Sequence, residues 1–314
     1  MPKKRRFVCI GGGNAMPRSV LSQLKREPVS ISAICAMLDS GGSAGRLRKD
    51  YQINSPGDIR RALLALANTS PIVENLFNFR FEGGDLKGHN FANLFITALE
   101  LSTNSYEETI KEIRKLLNIE HEVLPATLDR SEVCAILENG KKIIGETNID
   151  IPKHEGSLKI KKVFLEPEAK AYPLALKAIE KADMIVIGPG DLYSSLAQVL
   201  LTKGMSQSIN RSKAKKVYIS NLMTKHGETD DYSVSDFTQK IEEMIEGSID
   251  YVLYHNLKIS SKRVGEYRKK SPELLEPVLA VDCENDKFIG MDLINSRGDI
   301  IHDAKKLVKA LMSL

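Results

Sequence analysis

The sequence runs to 314 residues, with a formal net charge of +4, 42% hydrophobic and 27% charged residues. A chain of this length builds a core without disulfides or metals, and its composition is globular and not that of a disordered polymer. So small a charge excludes the broad basic face of a nucleic-acid binder, and no apolar stretch is long enough to span a bilayer.

The run Lys3-Lys4-Arg5-Arg6 reads as a solvated end ahead of the first strand. Glycines cut the apolar segment behind it after about five residues, too short for a signal-peptide core. Residues 7–10 form a short strand, Gly11-Gly12-Gly13 a turn, and 17–25 a helix with Asn14 as cap and Pro17 in its first turn. The β-branched stretch 29–37 is a second strand. Residues 39–56 are polar and glycine-rich without an apolar period, and read as a long loop. Helical periodicity then covers 58–67, 72–79, 91–101 and 106–117. Residues 133–137 and 142–146, joined through Asn139-Gly140, predict a hairpin, with another strand at 159–165. Strand–helix alternation resumes with a helix over 171–181, a strand at 184–187, Gly188-Pro189-Gly190, and a helix from 192. Strands at 217–220 and 251–254 alternate with helices at 237–245 and 260–269; strands at 278–281 and 288–293 precede a closing helix at 304–311.

These elements predict an α/β fold: a Rossmann-like, doubly wound, mostly parallel sheet with a helical insertion and a small β-hairpin elaboration. The chain divides as one α/β domain over 1–314: a first βαβ unit and glycine-rich loop (1–58), a helical block (59–120), a β-hairpin region (121–165) and a second α/β half (171–314). Cys9, Cys35, Cys134 and Cys283 show no metal-ligand or CxxC spacing and read as reduced thiols of a cytoplasmic protein.

Ligand chemistry concentrates where glycines follow strands. Gly11, Gly12, Gly13 and Asn14 present backbone N–H groups at a helix N-terminus, which attracts phosphate. The dinucleotide pattern G-x-G-x-x-G is incomplete, because Met16 takes its third glycine place. In Asp39-Ser40-Gly41-Gly42-Ser43-Ala44-Gly45-Arg46, glycines, hydroxyls and an arginine have the make-up of an anion nest. Asp39 is placed to accept a ribose hydroxyl or to hold Mg²⁺; a plain surface loop is the alternative. Asp58 is placed to cap the next helix or join Asp39 on a metal, and Arg60 or Arg61 to face phosphate or solvent. Asn90 and Asn93 share a helix face and are candidates for reading a base or sugar. His89 is a candidate acid or base, with a hydrogen-bonded structural residue as its alternative. Gly188-Pro189-Gly190, followed by Ser194 and Ser195, repeats the strand–glycine–helix pattern. Two such turns in one parallel sheet share its carboxyl edge, where ligands bind at a reversal of strand order. The polar stretch 220–230 follows another strand as a binding loop or plain exposure, with Asn221 and Thr224 its ligand candidates. No H-E-x-x-H or Walker A motif is present.

In order, these segments resemble the CofD-like superfamily, most closely its YvcK branch of bacterial gluconeogenesis factors. Leu124-Pro125-Ala126-Thr127, Asn221-Leu222-Met223-Thr224 and Gly227-Glu228-Thr229-Asp230 belong to the same ordered set, and the likeness runs over nearly the whole chain. The resemblance implies a Rossmann-like core with a helical and hairpin elaboration. CofD is a transferase that moves a phospholactyl group onto a deazaflavin precursor with Mg²⁺. YvcK-like members bind UDP-sugars such as UDP-N-acetylglucosamine and support cell shape and wall-precursor supply on gluconeogenic carbon, with no reaction assigned. The resemblance also places Tyr267 near the sugar-nucleotide site. Where the family reads Gly-Gly-Gly-Thr-Gly this chain has Asn14-Ala15 after the glycines, and where it reads Asp-Asp this chain has Asp39-Ser40. The second change removes a carboxylate from a Mg²⁺ site.

The leading expectation is therefore a regulatory factor that binds a nucleotide-type small molecule, a UDP-sugar, without chemistry of its own. A Mg²⁺-dependent transferase of the 2-phospho-L-lactate transferase type and an NAD(P)-binding protein are the alternatives. Neither nucleic acid nor membrane is an expected partner, and the sequence is compatible with a homodimer.

Overall fold

The computed structural model of the protein describes residues 4–152 and 158–314; Lys3 of the basic run lies outside them. Arg5 and Arg6 belong to the first strand itself, and Arg6 pairs with Asp183 at 2.8 Å. β1 (Arg5–Gly11) leads into α1, a π-helical turn (Pro17–Leu21) that continues as α-helix (Ser22–Leu24), and β2 (Val29–Cys35) follows. Next come α2 (Gly42–Tyr51), α3 (Gly57–Leu66), α4 (Pro71–Asn78), α5 (Phe91–Thr103) and α6 (Tyr106–Leu116). β3 (Glu122–Pro125), β4 (Glu132–Leu137), β5 (Lys142–Ile144), α7 (Glu146–Asp150) and β6 (Ile160–Glu166) make up the hairpin region. The second half holds α8 (Pro173–Lys181), β7 (Met184–Ile187) and α9, a π-helical turn (Leu192–Leu196) running into α-helix (Ala197–Leu200). It continues with α10 (Met205–Arg211), β8 (Lys215–Ile219), β9 (Met223–Lys225), α11 (Val234–Ile245) and β10 (Tyr251–His255). α12 (Ser261–Lys270), β11 (Leu274–Pro277), β12 (Phe288–Met291) and α13 (Ala304–Ser313) close the chain.

Seven strands form one sheet in the order β12-β10-β8-β7-β1-β2-β3, with every neighbouring pair parallel. Alternation along buried strands feeds two cores. Phe7 and Cys9 of β1 face α1, α3, α5, α6 and α13, while Val8 and Ile10 face α8 to α11 and the small antiparallel sheet. From β1 the chain winds outward through β2 and β3, then returns to lay β7 on the other side of β1. The crevice outside the carboxyl ends of β1 and β7 is therefore the reversal point of the sheet, the place where open α/β sheets bind ligands.

Several local expectations change. Residues 39–56 are not all loop: α2 occupies Gly42–Tyr51 and buries Ser43, Ala44 and Leu47. Its two glycines and scant apolar content hide the helix from periodicity, and packing makes it. Asn14 caps α1 through its backbone, its carbonyl accepting from the Arg18 N–H at 3.2 Å, with no side-chain cap bond. Asp58 is not a cap; Pro56 holds that place and Asp58 lies in the first turn of α3. The hairpin gains a third strand, in the order β5-β4-β6, and Glu146, placed in it by pattern, begins α7 instead. The late strand falls at Leu274–Pro277 rather than 278–281, because β11 pairs antiparallel with β9 and that pairing sets its place.

Candidate active-edge site

The two glycine turns meet. A Cβ built on Gly13 would lie 3.6 Å from Ser195 Oγ, and one built on Gly190 3.8 Å from the Gly12 carbonyl oxygen. Gly13 has φ +63°, a left-handed conformation that glycine adopts freely. Asn221, at the end of β8, donates its side-chain N–H to the Gly190 carbonyl at 3.0 Å and holds the second turn in place. Beside these turns lies a cavity of about 330 Å³ lined by Asn14, Arg18, Gly190, Asn221, Tyr267 and His302. Its wall brings together β1–α1, β7–α9, β8–β9 and α12. Pro189 also lines it.

Carboxylates gather on the β2 side of the turns. Asp58 Oδ1 accepts from the Gly13 N–H at 3.0 Å and binds Arg61 Nη2, whose guanidinium also reaches Asp39 at 3.6 Å. Asp39 Oδ1 accepts from the Gly41 N–H at 2.8 Å. Cβ atoms on Gly12 and Gly57 would stand 2.7 Å and 2.6 Å from the Asp58 and Asp39 carboxylates, so these glycines make the room the acids occupy. Burial, with Asp58 close by, raises the Asp39 carboxyl above its ordinary value. Burial, then Asp39 and Asp150, pushes Glu146 up to about 8. Burial works against the Arg61 charge, yet Asp58 and Asp39 outweigh it and raise that group. Asp39 and Asp58 against one guanidinium leave an excess of negative charge, and carboxylate oxygens of this kind suit Mg²⁺. Asp39 and Asp58, both within reach of Arg61, are the two acids here whose chemistry fits the ion. Ser40 stands where a second acid would, and it joins α7 instead: its Oγ lies 3.0 Å from Thr147 Oγ1 and accepts from the Thr147 N–H at 3.1 Å.

A second acidic group, Asp150, Asp191 and Glu228, brings oxygens within 4.8 Å of one another. It already holds a cation. Lys225 Nζ contacts all three, at 3.1 Å from Asp191 and 2.9 Å from Glu228. Burial disfavours the ammonium, but the three carboxylates overcome it and keep Lys225 protonated. Glu228 also accepts from the N–H groups of Tyr193 and Ser194, both at 3.3 Å, at the start of α9. Ser194 Oγ donates to Glu228 at 3.1 Å.

The remaining candidates stand apart from the cavity. Ser43 Oγ accepts from the Asn90 N–H at 3.2 Å and from the Asn93 amide at 3.3 Å, and lies 3.2 Å from His89 Nδ1. Asn90 is buried, caps α5 and donates to the carbonyls of Phe77 and Phe79. Arg46 donates to the Lys87 carbonyl at 3.1 Å. Thr224 links β9 to β11 through Glu276. Burial, then the neighbouring charges of Arg61 and Arg80, lowers Arg60 to about 10. The stretch after β8 is not an exposed loop, since Ser220, Thr224, Lys225 and Glu228 are all buried. Arg18, Glu146, Asp150 and His302 escaped sequence reasoning. Only their neighbourhood in space marks them, and no motif carries it.

Residues 7–297 match the family model described as 2-phospho-L-lactate transferase CofD. The chain is 40% identical over 319 residues to a gluconeogenesis factor of Halalkalibacterium halodurans, covering 99% of this chain and 96% of that one. It is 36% identical to the gluconeogenesis factor of Bacillus subtilis, covering 100% of this chain and 99% of that one. A crystal structure of a UPF0052-family protein from Bacillus halodurans superposes with TM-score 0.91 at 38% identity, covering 99% of this chain and all of that one.

Proposed function

The chain belongs to the CofD family, within its gluconeogenesis-factor (YvcK) branch, and from that premise we propose that it is a regulatory factor binding a UDP-N-acetylglucosamine-type nucleotide-sugar at the reversal point of its sheet. One observation carries the reading: the cavity of about 330 Å³ where Asn14, Gly190, Asn221 and Tyr267 converge. The N–H groups of the two glycine turns suit a diphosphate. Tyr267, half-buried on α12, offers a face for a base. The small volume and few polar groups are those of a small-molecule site. The name shared by the relatives supports a role during gluconeogenic growth. A wall-precursor ligand would tie that role to cell shape, and free cysteines throughout support a cytoplasmic setting.

A second reading, group transfer from a nucleotide-activated donor, is favoured by the Asp39, Asp58 and Glu146 carboxyls. The CofD family typically uses Mg²⁺-dependent chemistry. The ion, when bound, neutralises charge on phosphate oxygens. Asp39 and Asp58 would hold it, Arg61 orients both acids, and Glu146, carrying a proton over much of the neutral range, holds that proton at the site.

A thermal-unfolding panel tests both readings. Stabilisation by UDP-N-acetylglucosamine without Mg²⁺, weakened at least tenfold in Gly190→Val, supports the binding role. Stabilisation by a guanosine diphosphate compound only with Mg²⁺, and its loss in Asp39→Asn, would favour transfer. A response to NAD(P) alone would sink both.

A further inference from the structure

A second hollow, of about 650 Å³, opens between α1, α3 and α4 and shares Asn14 and Arg18 with the first cavity. Its charged lining is Arg18, Lys25, Arg26, Arg60, Arg61 and the single acid Glu74. With Arg61 neutralised by Asp58 and Asp39, four cationic side chains against one carboxylate leave a positive concavity of small-molecule size. Arg61 is engaged by Asp58 and Asp39, and Lys25 Nζ donates to the Ala67 carbonyl. Arg60 differs from both. Its guanidinium is half-buried, its Nε is buried without a partner, and among the described residues its side chain forms no ion pair or hydrogen bond. Arg18 and Arg26 are likewise in no ion pair among the described residues.

A recessed guanidinium with no ion-pair partner, and with only the more distant charges of Asp58 and Asp39 to oppose its burial, destabilises the free protein. A methionine of similar length would fill the same space without that penalty. The arginine makes physical sense if an anion completes it, and its planar fork matches phosphate oxygens two at a time. The surplus of positive groups over the single lining acid favours an anion over a cation or an uncharged base.

We propose that this hollow is a second binding site, for the terminal phosphate of a small molecule, with Arg60 as its central ligand and Arg18 and Arg26 at its mouth. The site stands independently of what fills the first cavity. Asn14 and Arg18 border both, so an occupant here lies next to the nucleotide-sugar without replacing it.

The test uses the full chain and inorganic phosphate or pyrophosphate, titrated against chloride at constant ionic strength. Wild-type protein is stabilised by pyrophosphate beyond the chloride control. Arg60→Met raises the melting temperature of the free protein and weakens pyrophosphate at least tenfold, while Tyr267→Ala leaves that affinity unchanged. Arg26→Gln, on an exposed side chain, weakens pyrophosphate severalfold by calorimetry and keeps the proposal testable should Arg60→Met not fold. Phosphate stabilisation that adds to that of saturating UDP-N-acetylglucosamine supports a separate site. Displacement of phosphate by the nucleotide-sugar, unchanged affinity in Arg60→Met, or no response above chloride would each overturn it. The phosphate arm reads out even if no UDP-sugar binds, so the two proposals fail separately.

Discussion

At Gly45 a single methyl group decides whether the junction before α2 can close. A Cβ there would stand 2.0 Å from the Ser40 carbonyl oxygen, a backbone atom that cannot rotate away. Gly45→Ala is expected to cost at least the ~1–3 kcal/mol of overpacking, read as a lower denaturant midpoint at unchanged slope. It is also expected to disturb Ser40 and its contacts with Thr147. His302 makes a different residue-scale prediction. Burial drives its imidazole down to about 4, only partly opposed by a hydrogen bond to the Ser220 backbone, and its Nε2 is buried without a partner. The unfolded chain takes up that proton near pH ~6.5 and the folded one does not until about pH 4. Its contribution is therefore intact above the unfolded value and is lost as pH falls toward the folded one. That loss is on the order of 3 kcal/mol. Chemical denaturation between pH 7 and 4 should show the decline, and His302→Phe should flatten it. An equally steep curve in the variant would assign the acid sensitivity elsewhere.

At the scale of elements, the Lys225 knot joins pieces that the sheet does not connect. Asp150 ends α7, Asp191 precedes α9, and Lys225 and Glu228 come from β9 and its turn. The ammonium thus fastens the small antiparallel sheet to the glycine turn after β7. Removing one partner from a buried charge cluster typically costs ~3–5 kcal/mol, since the others are left uncompensated. Lys225→Met should destabilise by that order, and hydrogen exchange should rise first in α7 and at the start of α9. Uniform exchange with no local increase would show that the knot is not a fastening. The elements also show where sequence pattern fails. α2 is built from Gly42, Gly45 and charged residues with a narrow apolar stripe of Ala44 and Leu47, and such a segment is helical only because a surface waits for it. β11 has no strand signature stronger than the 278–281 stretch beside it; β9 selects it by pairing.

At the scale of the whole molecule, function rests on a strand order. Nucleotide-sugar binding at the reversal point should protect amides of residues 11–16 and 188–195 together, although they lie far apart in the chain. Protection of only one segment would remove the shared site. The sequence by itself determined the alternation of strands and helices, the glycine turns after β1 and β7, the likeness to the gluconeogenesis factors, and the candidacy of Asp39, Asp58, Asn14 and Asn221. Those features are local: apolar period, turn chemistry and short ordered motifs are written in neighbouring residues. Only the tertiary structure decided that β7 lies beside β1, that Lys225 fills the acidic group made with Asp150, that Asn90 and Asn93 face inward, and that Arg60 is recessed without an ion pair. Each of these depends on which distant segments touch. That choice comes from burying both faces of one sheet at once, a condition no short window of sequence records.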